Sequence, residues 1–141
     1  MELVVDTGGL LRALARKDNG APTWPDFEQC LRDARRLVVP APVLVETDYF
    51  LRQQRAAMRK LVAEVFDPAT TYEYEIALPA DIVRAMQFDT KFAELGLGLT
   101  DGVVAAVAER RKIYRVLTTD RAHFSAMRVG PRFQKAFTLM P

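Results

Sequence analysis

A three-layer α/β/α fold around a central, mostly parallel sheet of four to five strands is predicted by two features of this chain. Apolar runs of strand length recur at Leu3-Val4-Val5, Leu37-Val38-Val39 and Val116-Leu117. Between them lie stretches with apolar residues at helical spacing, and strands separated by helices pair in parallel through right-handed crossovers. The chain has 141 residues, of which 50% are hydrophobic and 27% charged. That is enough for one domain, residues 1–141, with a substantial core.

The elements follow in order. Residues 2–6 form a short buried strand, and 7–16 a helix with Leu10, Leu11 and Leu14 on one side. Gly20, Pro22 and Pro25 make 17–25 a loop. A helix at 25–36 leads to a strand at 37–39. Pro40 and Pro42 then break the chain, and Pro42 suits the first turn of a helix at 42–54. A second helix over 55–66 ends at Asp67-Pro68. Tyr72 to Leu78 alternates and is rich in strand-forming residues. A helix covers 79–94, and Gly96-Leu97-Gly98-Leu99 forms a loop. Thr100 is the expected N-cap of a helix at 101–111. Tyr114 to Thr119 is a strand, and 136–139 is the last. The order is β-α-α-β-α-α-β-α-α-β-β.

Bulk properties exclude several classes. No apolar run reaches the ~20 residues of a membrane span, and no signal peptide precedes the first strand. The expected location is cytoplasmic, with no membrane partner. Cys30 is the single cysteine. It cannot form an internal disulfide, and it falls in an apolar stripe that makes it a core residue. The net charge is only +2, yet cations are grouped. Arg32, Arg35 and Arg36 form one set; Arg52, Arg55, Arg59 and Lys60 another; Arg110, Arg111, Lys112 and Arg115 a third. Arg121, Arg128, Arg132 and Lys135 run through the end. Each set alone reads as a solvated face, and together they suit a basic rim that tracks a phosphate backbone.

Four acids sit where elements change. Asp6 closes the first strand and Asp120 the run Val116-Leu117-Thr118-Thr119. Asp101 opens a helix, and Glu46 lies within Val43-Leu44-Val45-Glu46-Thr47, where packing gives it no role. Ligands bind at the carboxyl ends of strands in open parallel sheets. Converging carboxylates repel one another, and a divalent cation with hard oxygen ligands, Mg²⁺ or Mn²⁺, is the simplest remedy. Singly, each acid has a plainer reading: a first-turn helix acid for Asp101, a turn residue for Asp120, a cap for Asp6. His123, the one histidine, reads as a packing or hydrogen-bonding residue. Asp48 should point away from Glu46, while Asp81 and Asp89 read as surface or capping acids. Tyr49, Phe50, Phe88 and Phe92 read as core or dimer surface.

Asp6-Thr7 after the first strand, helix-borne Glu46, Thr100-Asp101 at a helix start, and the run Leu117-Thr118-Thr119-Asp120-Arg121-Ala122-His123-Phe124 together resemble the PIN domain. More narrowly, they resemble the VapC-like toxins of bacterial toxin–antitoxin pairs. The resemblance spans Leu3 to about Phe137. It implies a PIN-like fold and a metal-dependent endoribonuclease that cleaves RNA by metal-activated water. It also implies a small antitoxin that holds the enzyme inactive, and a homodimer. Asp6, Glu46, Asp101 and Asp120 match the family's acidic quartet, which serves catalysis and metal binding. Asp6 and Asp101 are then the main metal ligands. Asp120 is the candidate for a second ion, and Glu46 for holding a metal-bound water or acting as base. Thr7 and Thr119 match polar neighbours of the first and last acids. Gly8-Gly9 departs from the Ser and Ala of many relatives and suggests added flexibility where the first helix starts. The antitoxin is expected to insert an Arg or Lys among the acids and to lay an apolar helix beside Tyr49, Phe50 and Leu51.

Two other functions fit an acid after the first strand. One is a phosphoryl-transfer enzyme or phospho-receiver; the other is a catalytically inactive PIN-fold binding module. A dehalogenase-like phosphatase would need an Asp at position 8, which is Gly8. A receiver would need an acidic pair and a late Lys, neither of which is evident. Degenerate binding modules lose the acidic quartet that this chain retains. Gly8-Gly9 matches no phosphate-binding glycine loop.

Overall fold

Strand β1 (Glu2–Val5) lies at the centre of a five-stranded sheet in the computed structural model, which describes residues 1–141. Its flanking strands are β2 (Arg36–Pro40) and β4 (Arg115–Leu117). The edges are β3 (Tyr72–Glu75) and β7 (Thr138–Met140). All four strand pairs are parallel. Burial on both faces explains why β1 and β2 are unbroken apolar runs rather than alternating ones. Val4, Val5, Val38, Val39, Val116 and Leu117 are fully enclosed.

Eight residues make α1 (Thr7–Leu14), followed by α2 (Pro25–Asp33), which begins on a proline. Next come α3 (Ala41–Phe50), with Pro42 in its first turn as expected, and α4 (Arg55–Val65). Two longer helices, α5 (Pro79–Lys91) and α6 (Leu99–Arg111), follow across a 3₁₀ turn. Gly102 of α6 faces Ala85 of α5 so closely that a Cβ there would come within 2.7 Å of the alanine methyl. The residues Val103 to Ala108 are all buried, so α6 is a core helix rather than an amphipathic surface one. Arg110 binds both Asp81 (3.0 Å) and Glu75 (2.7 Å), and Arg84 binds Glu109 at 2.9 Å, clamping α5, α6 and β3 together. No helix is long and apolar enough to cross a membrane.

Several expected boundaries move. The strand from Tyr72 stops at Glu75, opposite Pro40, because β2 offers no partner beyond that point and Leu78 becomes the N-cap of α5. The α6 N-cap is Gly98, not Thr100, so Thr100 sits inside the first turn. The last strand is Thr138–Met140, since Lys135–Ala136 (β6) turns away to pair antiparallel with Arg128–Val129 (β5). A six-residue helix, α7 (Arg121–Ala126), was not foreseen. Its signal is Asp120, whose Oδ1 accepts from the His123 backbone N–H at 3.0 Å, an N-cap at N3 spacing.

Flexibility does not explain Gly8 and Gly9. Both lie within α1, where the helix start is pressed against the end of β4. A Cβ at Gly9 would collide with the Leu117 carbonyl, and one at Gly8 with the Thr119 hydroxyl. The Thr119 side chain can rotate, but the β4 backbone cannot yield. Gly9→Ala should therefore destabilise the protein by about 2–4 kcal/mol, and Gly8→Ala by far less. Urea unfolding of both variants checks this order.

Candidate active site

The carboxyl ends of β1 and β4 lie side by side, with Val5 opposite Leu117. Asp6 leaves β1 and donates its backbone N–H to the Leu117 carbonyl at 2.9 Å. Thr118 leaves β4 and donates its hydroxyl to Asp6 Oδ2 at 2.8 Å. The same hydroxyl oxygen accepts the Asp120 backbone N–H at 2.9 Å. One buried threonine, 112 positions from Asp6 in sequence, thus ties the first acid to the last. Sequence reasoning singled out Thr7 and Thr119 as polar neighbours of the first and last acids and passed over Thr118. Thr118 is the first residue beyond β4, where the chain leaves the sheet beside Asp6. Thr119 is exposed and lies against Gly8. Thr7 is buried, and its hydroxyl oxygen has no hydrogen-bond partner.

Asp101 enters from the first turn of α6 and Asp120 from the cap of α7. Between them stands His123. Its Nδ1 is 3.0 Å from Asp101 Oδ2 and 2.7 Å from Asp120 Oδ2. Ligand-type atoms of Asp101, Asp120 and His123 all lie within 4.8 Å of one another. His123 is therefore the hydrogen-bonding residue it reads as from sequence, and its partners are the acids of the cluster themselves. The short length of α7 hid this: one turn brings position 123 back over its own cap.

The electrostatics join the remaining acids to this group. Burial pushes the Asp6 carboxyl up to about 6; Thr118 opposes that, and the charges of Asp101 and Glu46 add to it. Asp101 is also raised, first by burial, with His123 opposing and Asp120 and Glu46 adding to the rise. Desolvation acts downward on His123, but its hydrogen bond to Asp101 and the charges of Asp120 and Asp101 outweigh it, so the imidazole is held above its ordinary value. The charge of Glu46 adds to the rise of both Asp6 and Asp101, and that of Asp120 to the rise of Asp101, so carboxylates from four elements lie near enough to act on one another. Asp48 is turned out to Arg55 at 2.7 Å. Asp81 is not a surface acid: it is buried, caps α5 by accepting the Leu78 N–H, and pairs with Arg110. Phe88 is in the core, whereas Tyr49 and Phe50 are exposed.

These shifts fix a pH dependence. A carboxyl whose folded value lies above its unfolded value costs stability when ionised. That cost is absent below the unfolded value, near 3.8, and fully present above about 6. The raised His123 acts in the same sense, since its stabilising charge is lost as pH rises through its folded value. The metal-free protein should therefore melt higher at pH 5 than at pH 8, by about 4–8 °C for roughly 2 kcal/mol. Calorimetry in chelator tests this, and a Tm that falls toward pH 5 would contradict it.

The donor set suits a divalent metal. Carboxylate oxygens at Asp6, Asp101 and Asp120 are hard ligands, and the buried, unpartnered Thr7 hydroxyl beside Asp6 is a polar group awaiting a partner. An imidazole nitrogen such as that of His123 suits Mn²⁺ better than Mg²⁺ as a ligand, whereas the carboxylates suit both.

A second concavity, a cavity of about 750 Å³, opens between α1, α2 and the α3–α4 turn. Leu11, Leu14, Leu31, Phe50, Leu51 and Leu61 line it, with Arg16, Arg32 and Lys60 at its margins. Tyr49, the neighbour of Phe50 on α3, does not line it.

Comparison with known proteins bears on the family and the fold. Ribonuclease VapC26 of Mycobacterium tuberculosis is 30% identical over 146 residues, covering 99% of this chain and 100% of that protein. The structure of Mycobacterium tuberculosis VapC20, described as a sarcin–ricin loop cleaving toxin, matches with a TM-score of 0.67 at 18% identity, over 84% of this chain and 89% of its own. VapBC2 from Rickettsia felis, bound to a DNA fragment from its promoter, matches with a TM-score of 0.66 at 13% identity over 100% of both chains. At these identities the two structures bear on the fold alone. The PIN domain model matches residues 3–129, which takes in β1, β4 and all four acids. The chain belongs to the PIN-domain family and is VapC-like.

Proposed function

We propose that this chain is a divalent-metal-dependent endoribonuclease, a hydrolase of RNA phosphodiester bonds, and the toxin of a toxin–antitoxin pair. The observation that carries the reading is the carboxylate cluster at the carboxyl edge of the sheet, with Asp6 buried and the other acids half-buried, organised by Thr118. The name of its relative, Ribonuclease VapC26, supports the substrate class.

Asp6 and Asp101 are the principal residues to hold Mg²⁺ or Mn²⁺, with Asp120 completing the set. When bound, such an ion lowers the pKa of water and neutralises phosphate oxygens. The chain's own part is positional. Thr118 fixes Asp6 and the backbone of Asp120 in one hydrogen-bonded unit. Glu46, from the neighbouring α3, faces the site without a hydrogen-bonded partner and is the group to orient water or accept its proton. Thr7 supplies a free hydroxyl beside Asp6, and Thr119 a polar rim. His123 holds Asp101 and Asp120 together by charge-assisted hydrogen bonds.

The whole chain, residues 1–141, acts as one domain in the cytoplasm. Its antitoxin would lay an apolar helix in the cavity bounded by Leu11, Leu31 and Phe50, and would extend an Arg or Lys toward the acids. Exposed Val45 and Tyr49 on α3, and Ile82, Val83 and Met86 on α5, provide apolar surface that a homodimer would cover.

RNA and single-stranded DNA carry the same backbone charge, so both should bind, while cleavage falls on RNA, where the 2′-hydroxyl and local shape contribute. Purified protein is incubated with matched RNA and DNA hairpins in Mg²⁺. Cleavage of RNA alone at low protein concentration is expected, and equal cleavage of DNA would indicate a general nuclease.

A further inference from the structure

At the opposite end of the sheet from the acids is a second cleft, with a cavity of about 320 Å³. Arg35, Lys112, Arg115 and Lys135 line it, and Tyr114 lies beneath the Lys135 ammonium, 4.8 Å from nitrogen to ring centroid. Glu2 is the sole acid there, and it is engaged by Arg35 at 3.0 Å and by Arg36 at 3.2 Å. Within their sequence cluster, Arg110 and Arg111 are consumed by Asp81, Glu73 and Glu75. Lys112, Arg115 and Lys135 form no ion pair and are exposed. The dipole at the α6 C-terminus accounts for Lys112 alone. It says nothing of Arg115, on the first residue of β4, or of Lys135, on the β5–β6 hairpin.

This concentration of like charge has a counterpart at the other end. The catalytic edge carries four carboxylates and repels a polyanion unless metal is bound. Affinity for RNA has to come from elsewhere on the molecule. The segment that runs from Asp120 at the acids to Lys135 at the cleft carries Arg121 and Arg132, both exposed, and Arg128. None of the three is ion-paired with an acid; Arg128 bonds only the Ser125 and Met127 carbonyls. Along β1 the two ends are four residues apart, about 13 Å at ~3.3 Å per residue. That is on the order of four stacked nucleotides at ~3.4 Å each.

We propose that the cleft formed by Arg35, Lys112, Tyr114, Arg115 and Lys135 is a remote anchor for the phosphate backbone of the substrate RNA, reached from the acidic site along the basic 121–135 segment. The proposal rests on the ribonuclease reading for the identity of the polyanion. Its role is to hold RNA outside the cleavage site, so it acts on binding and leaves the chemical step alone. A short oligonucleotide that fills only the acidic site does not reach it.

The test is RNA binding in chelator, where neither metal nor cleavage contributes. Fluorescence anisotropy of a labelled hairpin of about 30 nucleotides is measured over a salt series for the wild-type chain, R115E/K135E and R115Q/K135Q. A control, K17E/R59E, carries the same charge change at exposed positions away from the cleft. The cleft variants should bind at least tenfold more weakly, with the salt slope reduced by roughly 1.4–1.8 for two lost phosphate contacts. With Mg²⁺, they should raise KM for the hairpin at unchanged kcat and cleave a trinucleotide, too short to span the two sites, like the wild type. The glutamine pair reads the same effect if the charge reversal perturbs folding. Affinity within twofold of wild type in both cleft variants, or an equal loss in K17E/R59E, would overturn the anchor. Because binding is read without turnover, a chain that cleaves no RNA but loses affinity in the cleft variants defeats the ribonuclease reading and leaves the anchor standing.

Discussion

Asp6→Asn is expected to reduce Mg²⁺-dependent RNA cleavage by ~10³-fold or more, because it removes a charged ligand from the centre of the site. The same change should make the metal-free protein more stable. Asp6 is buried and carries a charge that its surroundings disfavour, as its rise to about 6 shows. The asparagine side-chain oxygen can still accept the Thr118 hydroxyl, so the hydrogen-bond frame survives without the charge. An increase in Tm of about 4–8 °C at pH 7.5 in chelator should shrink as pH falls toward 4. Activity and stability thus move in opposite directions in one variant, which separates a functional carboxylate from a structural one. Asp101→Asn should lose activity comparably. Near-wild-type cleavage by either purified variant would remove that residue from the site.

The second large effect is on growth. Expression of the chain alone in a bacterial host should arrest growth and degrade specific RNA, whereas D6N should do neither at equal protein level. Co-expression of the small open reading frame beside its gene should restore growth. If the partner docks as proposed, Leu31→Arg in the apolar cavity should abolish this rescue, since it introduces charge where Leu11 and Phe50 line the groove. Cleavage by purified Leu31→Arg should persist, because the cavity lies apart from the acids. Abundant folded wild-type protein with no effect on growth would defeat the toxin assignment.

Much of this architecture was legible in the chain. The parallel sheet follows from fully apolar β1 and β2, which only a sheet covered on both faces explains. The acids were legible because Asp6, Asp101 and Asp120 each stand where an element begins or ends, and because Glu46 had no packing role. Residues whose roles depend on contact across the sheet were harder to read. Thr118 and Thr119 are adjacent and chemically identical, and only the path of the chain as it leaves β4 decides which one meets Asp6. His123 joined the site through α7, six residues long and too short to show helical periodicity. Gly8-Gly9 read as freedom and proved to be close packing, because the obstacle, the Leu117 carbonyl, lies more than 100 positions away in sequence. The basic clusters were visible too, but sequence could not separate Arg110 and Arg111, paired with acids, from Lys112 and Arg115, which are not.

The central claim is that the acids at the carboxyl edge cleave RNA through a bound divalent ion. Its most direct test is single-turnover cleavage of a structured RNA by the purified chain, first in chelator and then across a Mg²⁺ titration, with cut sites mapped. The account predicts no cleavage in chelator, saturable cleavage at discrete sites as Mg²⁺ rises, and none with D6N at any concentration. Equal cleavage in chelator, or Mg²⁺-dependent cleavage that D6N retains, would contradict it.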